Sequence, residues 1–566
     1  MASLLAKTVR GHRYWQIVTS RRVNGKPRQV VLAHLGTADA LLTRLTQGAG
    51  RPAKARVTEF GLLAVLWTLA QRLDLVATID RHVPKRQQGA TVGQYMLVAA
   101  LNRLDAPTSK AGLAGWYQQT AVRRWLPIPR PQLRSQRFWD HMGMLDAPAI
   151  RRIEAALAAR LVAEFGLDLR CLCFDCTNFD TFLDSRTASA LAQRGHAKSK
   201  RADLRVVGLA LMVSTDFHVP LFSHVYAGNQ ADVVTFASVT EELVARYRLL
   251  AQHIAHVTLV FDKGNNSQDN LEGLADSPYH VVGSLVPSQH RELLAVPLGR
   301  YTACADPRLQ GVSAYRTTQV VFGRPWTLVV TRSEELLAGQ RRGIAQQLRK
   351  RRLALATLQR KLHRSQQPGA RGKGYTRASL DKHVAELRRG QYVSEILQIT
   401  VTERRGRLRL RYRTDQAALD RLTRTLLGKR ILFTDNHAWS TEEIILAYRS
   451  QYHVEAAFQQ MKDPQGVSWE PMYHWTDQKI RVHAFYCVLA LTLSSLLHRQ
   501  AAQAGIPLSL ERIRQELSAI KEVITLHPAA EGPKGGRPRA FTSYVDPSPE
   551  GAKLAALFAL DRLKLR

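Results

Sequence analysis

The apolar positions of the chain change period several times, and each change marks a segment. YWQIVTSRRVNGKPRQVVLAHLG (14–36) is two extended runs around Asn24-Gly25, a pair suited to a hairpin turn that needs positive φ. It predicts a small β-hairpin unit over 1–50. RPAKAR (51–56) reads as a linker. From 57 to 165 apolar residues recur at three- and four-residue spacing, as in FGLLAVLWTLAQRLDLVATI, and predict a helical domain. After Gly166 the rhythm turns to strands at 169–175, 205–216 and 219–226, the last two joined by STDFHVP. A helix over 231–250, a strand at 257–262 and another at 280–286 complete an order β-β-β-α-β-α-β. Residues 287–429 interrupt it with a hairpin around Gly323 (317–331), a helix (333–366) and an alternating strand (405–414). RILFTDN (430–436) returns to strand. STEEIILAYRSQYHVEAAFQQMK (440–462) predicts one long helix, with Ser440 at its cap and Glu443 closing a capping box. The Pro/Gly-rich end (527–553) predicts a mobile tail.

Charge changes the picture. The 566 residues carry 81 Lys+Arg against 46 Asp+Glu, a formal net charge of +35, while 45% are hydrophobic. A globular protein with that excess faces a polyanion, and nucleic acid is the usual one. The helical segment 57–165 is then a candidate DNA-binding domain as well as a plain bundle. The helix at 333–366 has nine Lys or Arg and no acid between Arg341 and Arg364. Five cysteines make no disulfide framework, MASLLAKTVRGHRYW has no signal-peptide core, and the longest apolar stretch (484–497) is short for a bilayer. These features predict a reducing cytoplasmic, nucleoid-associated location and no membrane partner.

CLCFDCTNFD (171–180) offers two chemistries. Three cysteines suggest a zinc knuckle, but no fourth ligand stands near except His196. Cys171 and Cys173 share the face of Asp175, and Cys176 points away; we read the cysteines as small core residues. Asp175 ends the first strand and Asp262 the fourth. If these strands are neighbours, their carboxylates repel and call for a cation, for which magnesium suits all-oxygen donors. On the 440–462 helix, Tyr448 and Lys462 each lie about 20° from Glu455 and Gln451 about 40°, so one stripe carries Tyr, Gln, Glu and Lys. A solvated charged face is the plainer reading of that stripe. Asp180, Asp184 and Asp435 are competing acids, and the place of Asp435 before the helix suggests a turn or cap.

Five pieces in this order resemble one family: FDCTNF, GHAKSKRADLRVVGLALMV (195–213), PLFSHVYAGNQADVVTF (220–236), TLVFDKGNNSQDNL (258–271) and YRSQYHVEAAFQQMK (448–462). The chain resembles, over most of 8–500, the DDE transposases of bacterial insertion sequences, in the Tyr-Arg-Glu-Lys branch of the insertion-sequence-four superfamily. The resemblance implies an α/β fold. A ribonuclease-H-like mixed-sheet core (166–286 and 430–500) would carry a β-containing insertion (287–429). A small β unit and a helical domain would precede it, and a C-terminal helix and basic tail (501–566) would follow. It implies cut-and-paste transposition, with metal-dependent strand cleavage and strand transfer on double-stranded DNA at the element's terminal inverted repeats and the target, by a homodimer. Asp175, Asp262 and Glu455 would hold two magnesium ions, with manganese as a substitute. Tyr448 and Lys462 would grip the phosphate. Gln451 stands where the family has arginine, and Arg449 lies about 120° from the stripe. Lys200 and Arg201 are further phosphate contacts or plain surface charge. Trp326 either stacks on a displaced base or packs in the core. In GNQAD, Gly228 turns the chain and Asn229 caps the next helix with Asp232. PKGGRPRAF (533–541) resembles a minor-groove hook. The alternative to an active enzyme is a transposase-derived DNA-binding protein without catalysis; a basic RNA-associated protein would leave the acids unexplained.

Overall fold

The computed structural model describes residues 2–9, 12–23, 26–38, 52–83, 88–250, 257–262, 268–275, 279–370, 374–527 and 539–565. The chain is mixed α/β and divides into two compact units, Met1–Val257 with Gln451–Arg566, and Thr258–Ser450.

The first unit begins with three antiparallel strands, Ala2–Val9, His12–Val23 and Lys26–Thr37, one more than the hairpin expected. Val23 pairs with Lys26, the register of a two-residue turn; Asn24 and Gly25 themselves lie outside the described residues. The expected linker is in part a strand. Lys54–Glu59 pairs with Lys521–His527, which pairs in turn with Arg539–Tyr544. The expected mobile tail is likewise folded over 539–565, with a helix at Pro549–Leu557 capped by Ser548. Residues 528–538, and with them most of PKGGRPRAF, lie outside the described residues.

The helical domain follows the 3.6-residue period. Gly61–Arg72, Leu75–His82, Val92–Asp105 and Ala147–Phe165 are helices, and Thr91 with Gln94 forms a capping box on the third. They pack with Asp477–Gln503, a 27-residue helix apolar enough by length and composition to cross a membrane, but with 94% of its apolar window buried inside the protein. It is a core helix, longer than its apolar stretch suggested because polar residues extend both ends.

Against this helical layer lie three antiparallel strands, Cys171–Thr181, Arg205–Ser214 and Pro220–Ala227. The first runs six residues past its expected end, because Thr177, Phe179 and Thr181 continue the buried alternation. Asp175 therefore stands in mid-strand. Gly228 has no room for a Cβ, which would meet the Val206 carbonyl. The following helix starts at Asp232, which puts Asn229 in the turn rather than at the cap.

In the second unit six strands lie side by side in the order Thr302–Ala303, Val312–Val321, Arg324–Ser333, Lys429–Thr434, Tyr279–Leu285 and Val257–Phe261. The Gly323 hairpin forms as expected, and Ser333 caps a helix over Glu334–Ser365. Trp326 packs in the interior of this unit. It is 5% exposed, its Nε1 donates to the Val321 carbonyl at 2.9 Å, and its ring meets Phe433 edge-on at 5.1 Å. A ring held on the core in this way fits the packing reading. The Ser440–Glu443 capping box is present, but the long helix is not continuous: Thr441–Arg449 ends, and Tyr452–Lys462 begins after Ser450–Gln451. The second unit ends at this break.

Candidate active site

Asp175 and Glu455 belong to the first unit. The Tyr452–Lys462 helix packs on the strand face that carries Asp175, Thr177 and Phe179. Glu455 is exposed on that helix and Asp175 is half-buried. The helix ends in Lys462, whose Nζ donates to Thr177 Oγ1 at 2.8 Å and sits 5.1 Å over the Phe179 ring. Burial and the neighbouring Lys198 push its pKa down to about 8, against the pull of Asp180 and Asp175. Phe179 stacks on Trp469 at 4.3 Å. The backbone around that tryptophan is fixed from behind. Buried Arg103 donates to the Ser468 and Glu470 carbonyls at 3.1 and 2.8 Å, and His483 Nε2 lies 2.8 Å from the Trp469 carbonyl.

The loop after the strand closes the other side. Asn178 donates to the His196 carbonyl at 2.8 Å and accepts from the Lys198 amide at 3.1 Å. This turns Lys198 inward, where its Nζ donates to the Cys176 carbonyl at 2.9 Å. Ser199 Oγ donates to Asp180 at 2.9 Å. Lys462, Lys198, Ser199, Asn178 and Phe179 thus line one open cleft. Of the two cations expected here, Lys200 is exposed in a left-handed conformation at φ 64° and does not line the cleft, and Arg201 is paired with Asp203 at 2.6 Å. Lys198 is the residue the sequence reading missed. Nothing in KSKR ranks its three cations; the two hydrogen bonds of Asn178 do. Gln451 is buried, at the head of the second helix.

Asp262, Tyr448 and Arg449 belong to the second unit. Tyr448 Oη donates to Asp262 Oδ1 at 3.2 Å and lies 3.0 Å from Ser284 Oγ, which is 3.4 Å from the same carboxylate oxygen. Burial, with the Asp262 charge beside it, pushes the phenol pKa up to about 12, so Tyr448 stays a hydrogen-bond donor. Its hydroxyl sits within reach of both the carboxylate and Ser284. Arg449 donates to the Arg308 carbonyl at 2.9 Å. Asp435 accepts from the Val281 amide at 2.7 Å and lies 3.3 Å from His280, tying two strand ends, as its expected turn role requires.

Among the described residues no group of three or more His, Cys, Asp or Glu is placed to hold a metal ion. Cys173 and Cys176 are buried and Cys171 half-buried, and none of the three is in a disulfide. Burial pushes the Cys176 thiol well up, with Asp232 and Asp175 adding to it, so in this setting it stays protonated at neutral pH.

Residues 5–56 match the family model described as the IS1634 family transposase, N-terminal domain. The match supports a transposase. It covers most of the three-stranded N-terminal unit and the start of the Lys54–Glu59 strand. Among solved structures, the chain is similar to the cryo-EM structure of the piggyBac transposase synaptic complex with hairpin DNA, at 10% identity and a TM-score of 0.37, over 82% of each chain. A likeness that loose transfers no residue role. No curated protein matches the chain.

Proposed function

We propose that this transposase binds the ends of an insertion sequence and catalyses metal-dependent strand cleavage and strand transfer there, as a homodimer on double-stranded DNA, with a ribonuclease-H-like core and a cut-and-paste outcome. The observation that carries the reading is Lys462. An ammonium is held by Thr177 and Phe179 on the strand that bears Asp175, at the end of the helix that bears Glu455. A cation drawn against a carboxylate-bearing strand, in an open cleft with a second lysine, suits a phosphodiester next to the bond that is cut.

The donors suit the metal. Asp175, Asp262 and Glu455 offer carboxylate oxygens alone, the chemistry a hard divalent cation takes. Asp175, Asp262 and Glu455 would hold two such ions, manganese serving in place of magnesium. Metal in such a site supplies an activated water or 3′-hydroxyl and charge for the leaving oxygen. The chain's own residues do the rest: Lys462 and Lys198 hold the phosphate, and Tyr448 and Ser284 fix the Asp262 carboxylate.

The test is cleavage of a labelled element end by Asp175→Asn and Glu455→Gln, each of which removes a metal ligand at nearly constant volume. Both should abolish magnesium-dependent cutting and leave end binding intact. Cutting near the wild-type rate by either would remove that residue from the site. A second reading, a transposase-derived DNA-binding protein without catalysis, is favoured by Gln451 in place of the signature arginine. It predicts that the wild type also binds ends and does not cut.

A further inference from the structure

The second unit contains a two-stranded ribbon, Leu397–Arg404 and Arg407–Thr414, with one face that the fold does not use. Its turn is the two residues Arg405 and Gly406, both at positive φ (52° and 72°), the geometry that matches strand twist in a hairpin. From 404 to 413 there are six arginines and no acid. Arg407, Arg409, Arg411 and Arg413 alternate with Leu408, Leu410 and Tyr412. The alternate set turns inward onto a cluster formed with Leu355, Leu358, Leu362 and Ile399. Gln359 and Gln366 donate to the Leu410 and Leu408 carbonyls at 2.9 and 3.0 Å, anchoring that strand to the Glu334–Ser365 helix. The four arginines stand on the opposite face, all exposed, across from Gln398, Thr400 and Thr402.

None of the ion pairs among the described residues includes any of these four, and Arg413 donates to Gln398 at 2.7 Å. Arg404 faces Arg407 directly, a like-charge pair that costs stability. Backbone pairing and the apolar face hold the ribbon, and of the four charges only that of Arg413 has a hydrogen bond to another side chain among the described contacts. Alternate residues of a strand stand about 6.8 Å apart, close to the through-space interval between successive phosphates of a nucleic-acid strand. A two-stranded ribbon is also of a width that the major groove admits. Single strands are bound on aromatic platforms, and the ribbon's aromatic residue, Tyr412, packs against the core instead.

We propose that this ribbon docks duplex DNA, with Arg407, Arg409, Arg411 and Arg413 gripping consecutive phosphates of one strand. The proposal takes its partner from the transposase reading but not its chemistry, since none of the four belongs to the acid-bearing site. The experiment is a salt titration of full-length protein on a random-sequence duplex and on a single strand of equal length. Each phosphate contact contributes about 0.9 to the slope of log affinity against log salt. R407Q/R409Q/R411Q/R413Q should therefore lower the duplex slope by about 3–4, so that roughly 100-fold less affinity is lost between 50 and 200 mM salt. The corresponding four-lysine variant should keep the slope. Should the four-glutamine chain fail to fold, R407Q/R409Q and R411Q/R413Q should each show about half the change. The slope reads binding alone, so a chain that never cuts DNA still tests the ribbon. An unchanged duplex slope in the glutamine variants overturns the proposal, as does a change confined to the single strand.

Discussion

Lys462 can lose its charge within a working pH range, and that makes its role measurable. Its pKa is lowered from 10.5 to about 8, first by burial and then by Lys198. About a tenth of the side chains are then neutral at pH 7 and about nine tenths at pH 9. A charge-assisted hydrogen bond to phosphate contributes about 1.5–3 kcal/mol, roughly 10- to 100-fold in affinity. End binding should be flat below pH 7.5, fall by up to about tenfold per pH unit above pH 8, and level off once that contact is lost. The assay is fluorescence anisotropy of a labelled element end at fixed ionic strength, without divalent metal so that no strand is cut. Lys462→Arg should hold its affinity through pH 9.5, because a guanidinium stays protonated there. Lys462→Met should be weak and flat. The stability effect has the opposite sign. The folded-state pKa lies below the unfolded one, so the unfolded chain binds more protons between about pH 8 and 10.5 and stability rises with pH across that window. Lys462→Met should accordingly raise the thermal midpoint at pH 7 and lose that advantage above pH 10.5. The same pH profile in wild type and Lys462→Arg would refute the assignment of the phosphate contact to this ammonium.

Two further outcomes test the scaffold. Trp326→Ala removes a buried ring and should cost about 3–5 kcal/mol in denaturant unfolding, while the folded fraction keeps its DNA affinity; loss of binding at unchanged stability would restore a base-stacking role. Burial lowers the pKa of His218 to about 3 and of His453 to about 4, so each stays neutral in the fold while the unfolded chain protonates near its ordinary 6.5. Stability should fall below pH 6.5, by about 1.4 kcal/mol per pH unit for each histidine, and His218→Gln should flatten that fall in a pH series of thermal midpoints.

Local periodicity made much of this fold legible. The hairpin at Gly323, the Ser440 cap, the strand carrying Asp175 and the strand just before Asp262 follow from alternation and turn chemistry that neighbouring residues decide among themselves. What stayed hidden depends on distant partners. Lys54–Glu59 looks like linker because its pairing strand begins at Lys521. The break at Ser450–Gln451 follows no Pro or Gly, so a helical wheel ran through it and joined Tyr448 to Glu455 and Lys462 on one stripe. Of the candidate site, the acids were legible as residue types. The choice of Lys198 over Lys200 was not, since it rests on how Asn178 folds a loop. The packing of Trp326 depends on Phe433, more than a hundred residues on, which no local pattern announces.

The first unit is assembled from two stretches of chain separated by the whole of Thr258–Ser450. The helices Gly61–Arg72 and Val92–Asp105 are closed by Asp477–Gln503. A ribosome working at about 5–20 residues per second therefore leaves their apolar sides uncovered for roughly 20–75 s before the closing helix is made. For that interval the nascent chain carries an unfilled groove, and the Lys54–Glu59 strand an open edge that any neighbouring chain can pair with. Production of this protein is thus a race between translation and aggregation. Slower synthesis lengthens the exposure, and a chain stopped early, short of Asp477, never ends it.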